Sequence, residues 1–185
     1  AGGKSVLIDA GIETRFKITA SQLEAAITPN TKLLMFNSPN NPSGAVYNHD
    51  ELEALAGVIS KHPHLYVIAD EIYEYIIFNG KHESLASYPA IHDRVIVING
   101  VSKGYAMTGW RLGYSASNCD IAQAINKIQG QITSGTCSIA QRAAIVAMDR
   151  HPDEVDEMKQ MVSTFKERRD LLVTLLREIP GLKVD

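Results

Sequence analysis

The sequence predicts an α/β fold: a mostly parallel sheet with helices on both sides, in a three-layer α/β/α arrangement. Two observations carry this expectation. Three compact apolar runs, Lys32 to Phe36, Leu65 to Ala69 and Val95 to Ile98, have the length and composition of strands in a buried sheet. Helical apolar spacing appears between the first two runs and again after the third, and no repeat or low-complexity stretch interrupts the pattern.

In chain order, Val6 to Asp9 is a short strand candidate. Ser21 and Glu24 have the spacing of a capping box, in which each side chain satisfies the other's free backbone N–H, and they open a short helix ending before Pro29. Lys32 to Phe36 reads as a strand buried on both faces. Asn37-Ser38-Pro39-Asn40-Asn41-Pro42-Ser43-Gly44 is rich in turn formers and is a loop. Asn48 and Glu51 mark the next helix start, and Leu52, Leu55, Ala56 and Ile59 form its apolar face; His62-Pro63-His64 closes it. With Leu65 to Ala69 following, this makes a βαβ unit whose crossover should be right-handed.

Val95 to Ile98 is the third strand and Arg111 to Ser115 the fourth. Helices are expected from Asp120 to Gln131, from Ser138 to Met148, and from about Asp153 to Arg177, the last with Val155, Met158, Val162, Phe165, Leu172 and Leu176 near one face. Residues 1–150 read as one domain; residues 151–185 read as a long helix and the start of a second, with a new strand opening at Leu182. The chain has no initial methionine and stops on strand-like residues after Pro180-Gly181, so it reads as a piece of a longer protein.

Composition excludes several classes. The 185 residues are 45% hydrophobic and 21% charged, with a net charge of −3, which is a globular profile. No basic run suggests nucleic acid, and Lys166 to Asp170 mixes signs on a solvated helix face. No segment approaches the ~18 apolar residues a membrane helix needs, and the N-terminus does not resemble a signal peptide. Cys119 and Cys137 lack a C-x-x-C partner and are expected as free thiols in a reducing, cytoplasmic setting. The histidines show no ligand spacing, so no metal is expected.

In open α/β sheets, ligands bind beyond the carboxyl ends of the strands. Four polar features fall there: the Asn41 loop after Phe36, Asp70 and Tyr73 after Ala69, Lys103 after Ile98, and Arg111 eight positions further on. Singly, each has a plain structural explanation as a turn, a cap, a surface lysine or an exposed ion pair. Their convergence on one rim points to a site.

The segments Asn40-Asn41-Pro42-Ser43-Gly44, Asp70-Glu71-Ile72-Tyr73 and Ser102-Lys103-Gly104-Tyr105-Ala106-Met107-Thr108-Gly109-Trp110-Arg111-Leu112-Gly113 resemble, in this order, fold-type I pyridoxal 5'-phosphate (PLP) enzymes. They look most like class I/II aminotransferases of the bacterial aspartate aminotransferase type, and the resemblance covers nearly the whole chain. It implies that residues 1–150 are an incomplete PLP-binding large domain and 151–185 the truncated start of the small one.

The resemblance also implies roles. Lys103 matches the Schiff-base lysine, which forms an imine only with its amine unprotonated. Asp70 matches the carboxylate that keeps the pyridine nitrogen protonated by charge pairing. Tyr73 and Asn41 match donors to the ring's phenolate oxygen, and Arg111 matches the arginine that grips the phosphate with planar donors. Ser102 can add a hydroxyl to that phosphate. Many relatives also place a serine three positions before the lysine; here Gly100 stands there. Trp110 and Tyr105 read as packing residues. Ser134-Gly135-Thr136 resembles a segment near the dimer interface of relatives.

The activity implied is transfer of an amino group between an amino acid, aspartate or glutamate foremost, and a 2-oxo acid, in a homodimer. The upstream phosphate loop with its stacking aromatic ring, and the downstream arginine for the substrate carboxylate, cannot be placed in residues 1–185, so this piece alone is expected to be inactive. Alternatives are another fold-type I PLP reaction, elimination or cyclisation, and a PLP-sensing module of a transcription regulator. A nicotinamide-binding fold is disfavoured because no G-x-G-x-x-G follows a strand.

Overall fold

The computed structural model describes residues 2–184. Strands β1 (Leu33–Asn37), β2 (Tyr66–Asp70), β3 (Val95–Gly100) and β4 (Gly113–Ala116) form one open sheet in that order. β1, β2 and β3 run parallel, while β4 pairs antiparallel with β3. Helices are α1 (Ala20–Ala26), α2 (His49–Ser60), α3 (Cys119–Ile132), α4 (Ser138–Met148) and α5 (Asp156–Arg177). The α/β class and mostly parallel sheet agree with the sequence. The antiparallel β4 follows from its connection: no crossover helix separates it from β3, and a parallel return needs one.

Strand side chains alternate between the two faces, so each strand contributes one set to the core. That set is Phe36 with Leu34, then Val67 and Ala69, then Val95 and Val97. α2 lays Leu52, Leu55, Ala56 and Ile59 against it, and α1 adds Leu23. Asn48 caps α2 with the reciprocal bonds expected: its side chain accepts from the Glu51 N–H, and Glu51 accepts from the Asn48 N–H. Removing this much apolar surface from water is the main stabilising term of the unit. At the other end of α2, the Arg94 guanidinium donates to the carbonyls of His62 (2.8 Å) and Leu65 (2.9 Å). It thereby closes the turn leading into β2.

Several local expectations are corrected. The β1 segment is buried on one face only: Met35 is 78% exposed, because α1 and α2 cover the opposite face. Val6 to Asp9 is not a strand: among the described residues no strand pairs with it, its Asp9 carbonyl accepts from Gln22 Nε2 (2.9 Å) instead, and Leu7 is largely exposed. α1 is capped by Thr19 and Gln22 rather than Ser21 and Glu24, since Thr19 is the residue with extended backbone. Glu24 instead reaches Lys61 and His62 beyond α2. β4 begins at Gly113 because Arg111 turns the chain with a left-handed backbone (φ 53°). α5 begins at Asp156, since Pro152–Glu154 forms a separate single turn held by His151. No strand forms over 182–184, and Asp185 lies outside the described residues.

Candidate active site

Because β1, β2 and β3 are parallel, the segments leaving their carboxyl ends share one rim. After β1, the loop 38–44 folds on itself: Asn40 Oδ1 accepts from the Ser43 hydroxyl (2.7 Å), and the Gly44 N–H donates to the Asn40 carbonyl (2.9 Å). Gly44 has φ 73°, a conformation L side chains rarely adopt, so glycine is required at that corner. The peptides before Pro39 and Pro42 are cis.

Asp70 is the last residue of β2, and its Oδ1 accepts from the Ile72 N–H at 3.2 Å. The following turn is held from both sides. Glu71 is 5% exposed; its N–H donates to the Ile98 carbonyl (2.9 Å), and its carboxylate accepts from Ser84 (2.6 Å) and lies 2.9 Å from His82 Nε2. Glu74 accepts from Asn99 Nδ2 at 2.6 Å, tying the turn to β3. Between these anchors stands Tyr73, whose hydroxyl accepts from Asn41 Nδ2 at 3.2 Å.

Lys103 lies in the turn that leaves β3, its Nζ 5.4 Å from the Tyr73 ring centroid. A cation over an aromatic face is attracted by the ring's negative quadrupole. Gly104 is buried beside it, and a Cβ there would meet Tyr75 at 2.5 Å. Tyr75 packs edge-on against Tyr105, centroids 5.9 Å apart, as the packing role for Tyr105 requires. Burial and the nearby Glu74 carboxylate push the Tyr75 hydroxyl far above the ordinary tyrosine range, so this ring stays neutral.

Asn41, Tyr73 and Lys103 are thus in direct succession, on the same rim as Asp70. Ser102 is half-buried next to Lys103. Arg111 stands apart from that succession: it is exposed, donates to the Thr108 carbonyl (2.9 Å), and lines an open cavity of about 690 Å³. Thr133 and Gly135-Thr136 from the α3–α4 connection line the same cavity, and Trp110, 46% exposed, forms part of its wall instead of packing in a core.

Sequence reasoning missed the residues that hold this rim together: Asn37, Glu71, Glu74 and Asn99. Asn37 is the clearest. Its Nδ2 donates to the Asp70 carbonyl (2.9 Å) and the Pro39 carbonyl (3.2 Å), while its Oδ1 accepts from Asn40 Nδ2 (3.0 Å) and the Asn41 N–H (3.1 Å). Its place at a strand end, before a run of turn formers, was the available signal. Gly100 is explained as well: a Cβ there would lie 2.8 Å from the Leu112 carbonyl oxygen and 2.9 Å from Gly113 Cα. The close approach of β4 therefore leaves no room for a serine three positions before Lys103.

Comparison with known proteins shows the family. The family model described as aminotransferase class I and II matches residues 1–184. An aspartate/prephenate aminotransferase from Cereibacter sphaeroides is 44% identical over 184 residues, covering 98% of this chain and 45% of that protein. A bifunctional aspartate aminotransferase and glutamate/aspartate-prephenate aminotransferase from Petunia hybrida is 43% identical, over 100% of this chain and 39% of its own length. Among solved structures, the aspartate aminotransferase from Rhizobium meliloti matches with a TM-score of 0.90 at 40% identity, over 95% of this chain and 44% of that one. The aromatic aminotransferase from Pyrococcus horikoshii gives 0.90 at 35%, over 96% and 47%. The chain spans less than half the length of these relatives. A lysine, a carboxylate and a tyrosine–asparagine pair on one strand rim, in a chain matched by this model over nearly its whole length, leave one conclusion: the chain belongs to the aminotransferase class I and II family.

Proposed function

We propose that this chain is the cofactor-binding part of a PLP-dependent aminotransferase that passes an amino group between an amino acid, aspartate or glutamate, and a 2-oxo acid. The relatives' names make prephenate a 2-oxo acid worth testing beside 2-oxoglutarate. The observation that carries the reading is the succession Asn41–Tyr73–Lys103 on the rim where Asp70 ends β2. The donor set fits the cofactor, offering an amine, a carboxylate, a paired phenol and amide, and a guanidinium. Among the described residues, Asp70 Oδ2 has no hydrogen-bond partner and Arg111 uses only Nη1, so both keep capacity for a ligand.

When bound, PLP supplies the electron sink that makes the substrate's Cα proton removable. The chain's residues do the rest. Asp70 holds a proton at the pyridine nitrogen by charge pairing. Tyr73 and Asn41 donate to the ring's phenolate oxygen, and Arg111 and Ser102 bind the phosphate. The Lys103 amine, once free, takes the proton from Cα as general base. The complete enzyme is proposed to be a cytoplasmic homodimer.

Borohydride reduction of the PLP-loaded protein followed by peptide mapping tests the assignment. The label is expected on Lys103; a label on any other lysine refutes it. Profiling with and without a 2-oxo acid acceptor then separates transamination, which needs the acceptor, from elimination or cyclisation, which does not.

A further inference from the structure

We propose that Asn37 is a positioning residue of this site, fixing where Asn41 stands relative to Asp70; this deepens the proposed function and rests on it. Asn41 is exposed, so packing does not set its position, and its side chain has one bond, to the Tyr73 hydroxyl. What anchors it is its own backbone N–H, held by Asn37 Oδ1 at 3.1 Å. The same carboxamide donates at 2.9 Å to the carbonyl of Asp70. One planar group thus connects the residue assigned to the cofactor's phenolate oxygen with the residue assigned to its ring nitrogen.

The orientation of that group is determined. Asn37 uses both amide hydrogens, toward Asp70 and Pro39, and both oxygen lone pairs, toward Asn40 and Asn41. Rotating the amide by half a turn would set oxygen against carbonyl oxygens on one side and NH2 against N–H donors on the other. A half-buried group with all four bonds made in one orientation is a rigid spacer between the ends of β1 and β2. Its effect on chemistry runs through Asn41: a bond donated to a phenolate stabilises the anion and lowers the proton affinity of the conjugated nitrogen. Losing the anchor lets Asn41 drift, weakens that bond, and lets the nitrogen keep its proton to higher pH.

The test is a pH titration of the violet absorbance of bound PLP in the holoenzyme, for wild type, Asn41→Ala, Asn37→Ala and the double variant. Asn41→Ala is expected to raise the midpoint by about one pH unit, the scale of one hydrogen bond to a charged group. Asn37→Ala should raise it in the same direction by at least half as much, and the double variant should match Asn41→Ala alone, because Asn37 acts through Asn41. A wild-type midpoint in Asn37→Ala, whatever its melting temperature or PLP affinity, overturns the proposal, as do fully additive shifts or an Asn41→Ala midpoint that does not move. If Asn37→Ala does not fold, Asn37→Leu, which keeps the side-chain volume but removes both the acceptor and the donor, is read in the same way. Borohydride labelling of each variant keeps the two inferences apart. A label away from Lys103 removes the parent reading and this one with it; a label on Lys103 with an unmoved midpoint removes only the role of Asn37.

Discussion

Two glycines, one at the end of β3 and one inside α2, should respond in opposite directions to the same added methyl group. At Gly100, a Cβ would lie 2.8 Å from the Leu112 carbonyl oxygen and 2.9 Å from Gly113 Cα. Both are backbone atoms of the segment that pairs with β3, so neither can swing aside as a side chain tip would. Gly100→Ala must therefore push β4 away from β3 by several tenths of an ångström. Overpacking of this kind costs about 1–3 kcal/mol, against at most about 0.8 kcal/mol from burying one methyl. A net loss of about 1–2 kcal/mol corresponds to a drop of roughly 2–8 °C in melting temperature for a domain of this size. Gly57 is the control. It lies inside α2, exposed, with nothing within 4 Å of its would-be Cβ, so Gly57→Ala should stabilise by about 0.5–1 kcal/mol through helix propensity. Urea unfolding followed by circular dichroism measures both. A Gly100→Ala midpoint equal to wild type would refute the account of why glycine stands before Lys103, and Gly57→Ala shows whether the assay resolves shifts of this size.

Three further outcomes are expected. Asp70→Ala should slow removal of the substrate Cα proton on the order of a hundred-fold, the scale of one lost electrostatic partner, while amino-acid affinity changes far less; exchange of deuterium at Cα reads the first, and unchanged exchange counts against a role at the ring nitrogen. Arg94→Met removes the charged donor from the His62 and Leu65 carbonyls and should destabilise by about 2–3 kcal/mol, seen as a lower urea midpoint. The Glu83 carboxylate, 2.8 Å from His49 Nδ1, holds the His49 imidazole above the ordinary histidine value. The pair's contribution is therefore complete below that ordinary value and disappears as pH rises through the elevated one. An NMR titration should show the elevation, and Glu83→Gln should bring His49 back toward ordinary; no movement would mean the pair does not form in solution.

What could be read along the chain was whatever short-range chemistry decides. The α2 start followed from Asn48 and Glu51, three positions apart, whose bonds close within one turn. α4 runs from Ser138 to Met148, as its apolar spacing predicts. Lys103, Asp70, Tyr73 and Asn41 were legible as candidates because ligand sites in open parallel sheets collect at strand ends, and each follows such an end. Where local signals were equivalent, as with Ser21–Glu24 beside Thr19–Gln22, spacing alone could not choose, and the backbone at Thr19 decided.

Everything that depends on a partner distant in sequence waited for the fold. Val6 to Asp9 has strand-like residues but, among the described residues, no strand to pair with, and Met35 sits in an apolar run yet faces outward because α1 and α2 cover the other side of its strand. Gly100 reads as a lost serine until β4 is seen pressed against it, and Asn37 reads as the first residue of a turn until its amide is seen spanning to Asp70, 33 positions away. Side-chain type and order along the chain were enough to nominate the candidate residues of the site. How those residues are held in place became visible with the fold, because a hydrogen bond or a steric contact acts on distance in space, and separation along the chain does not report it.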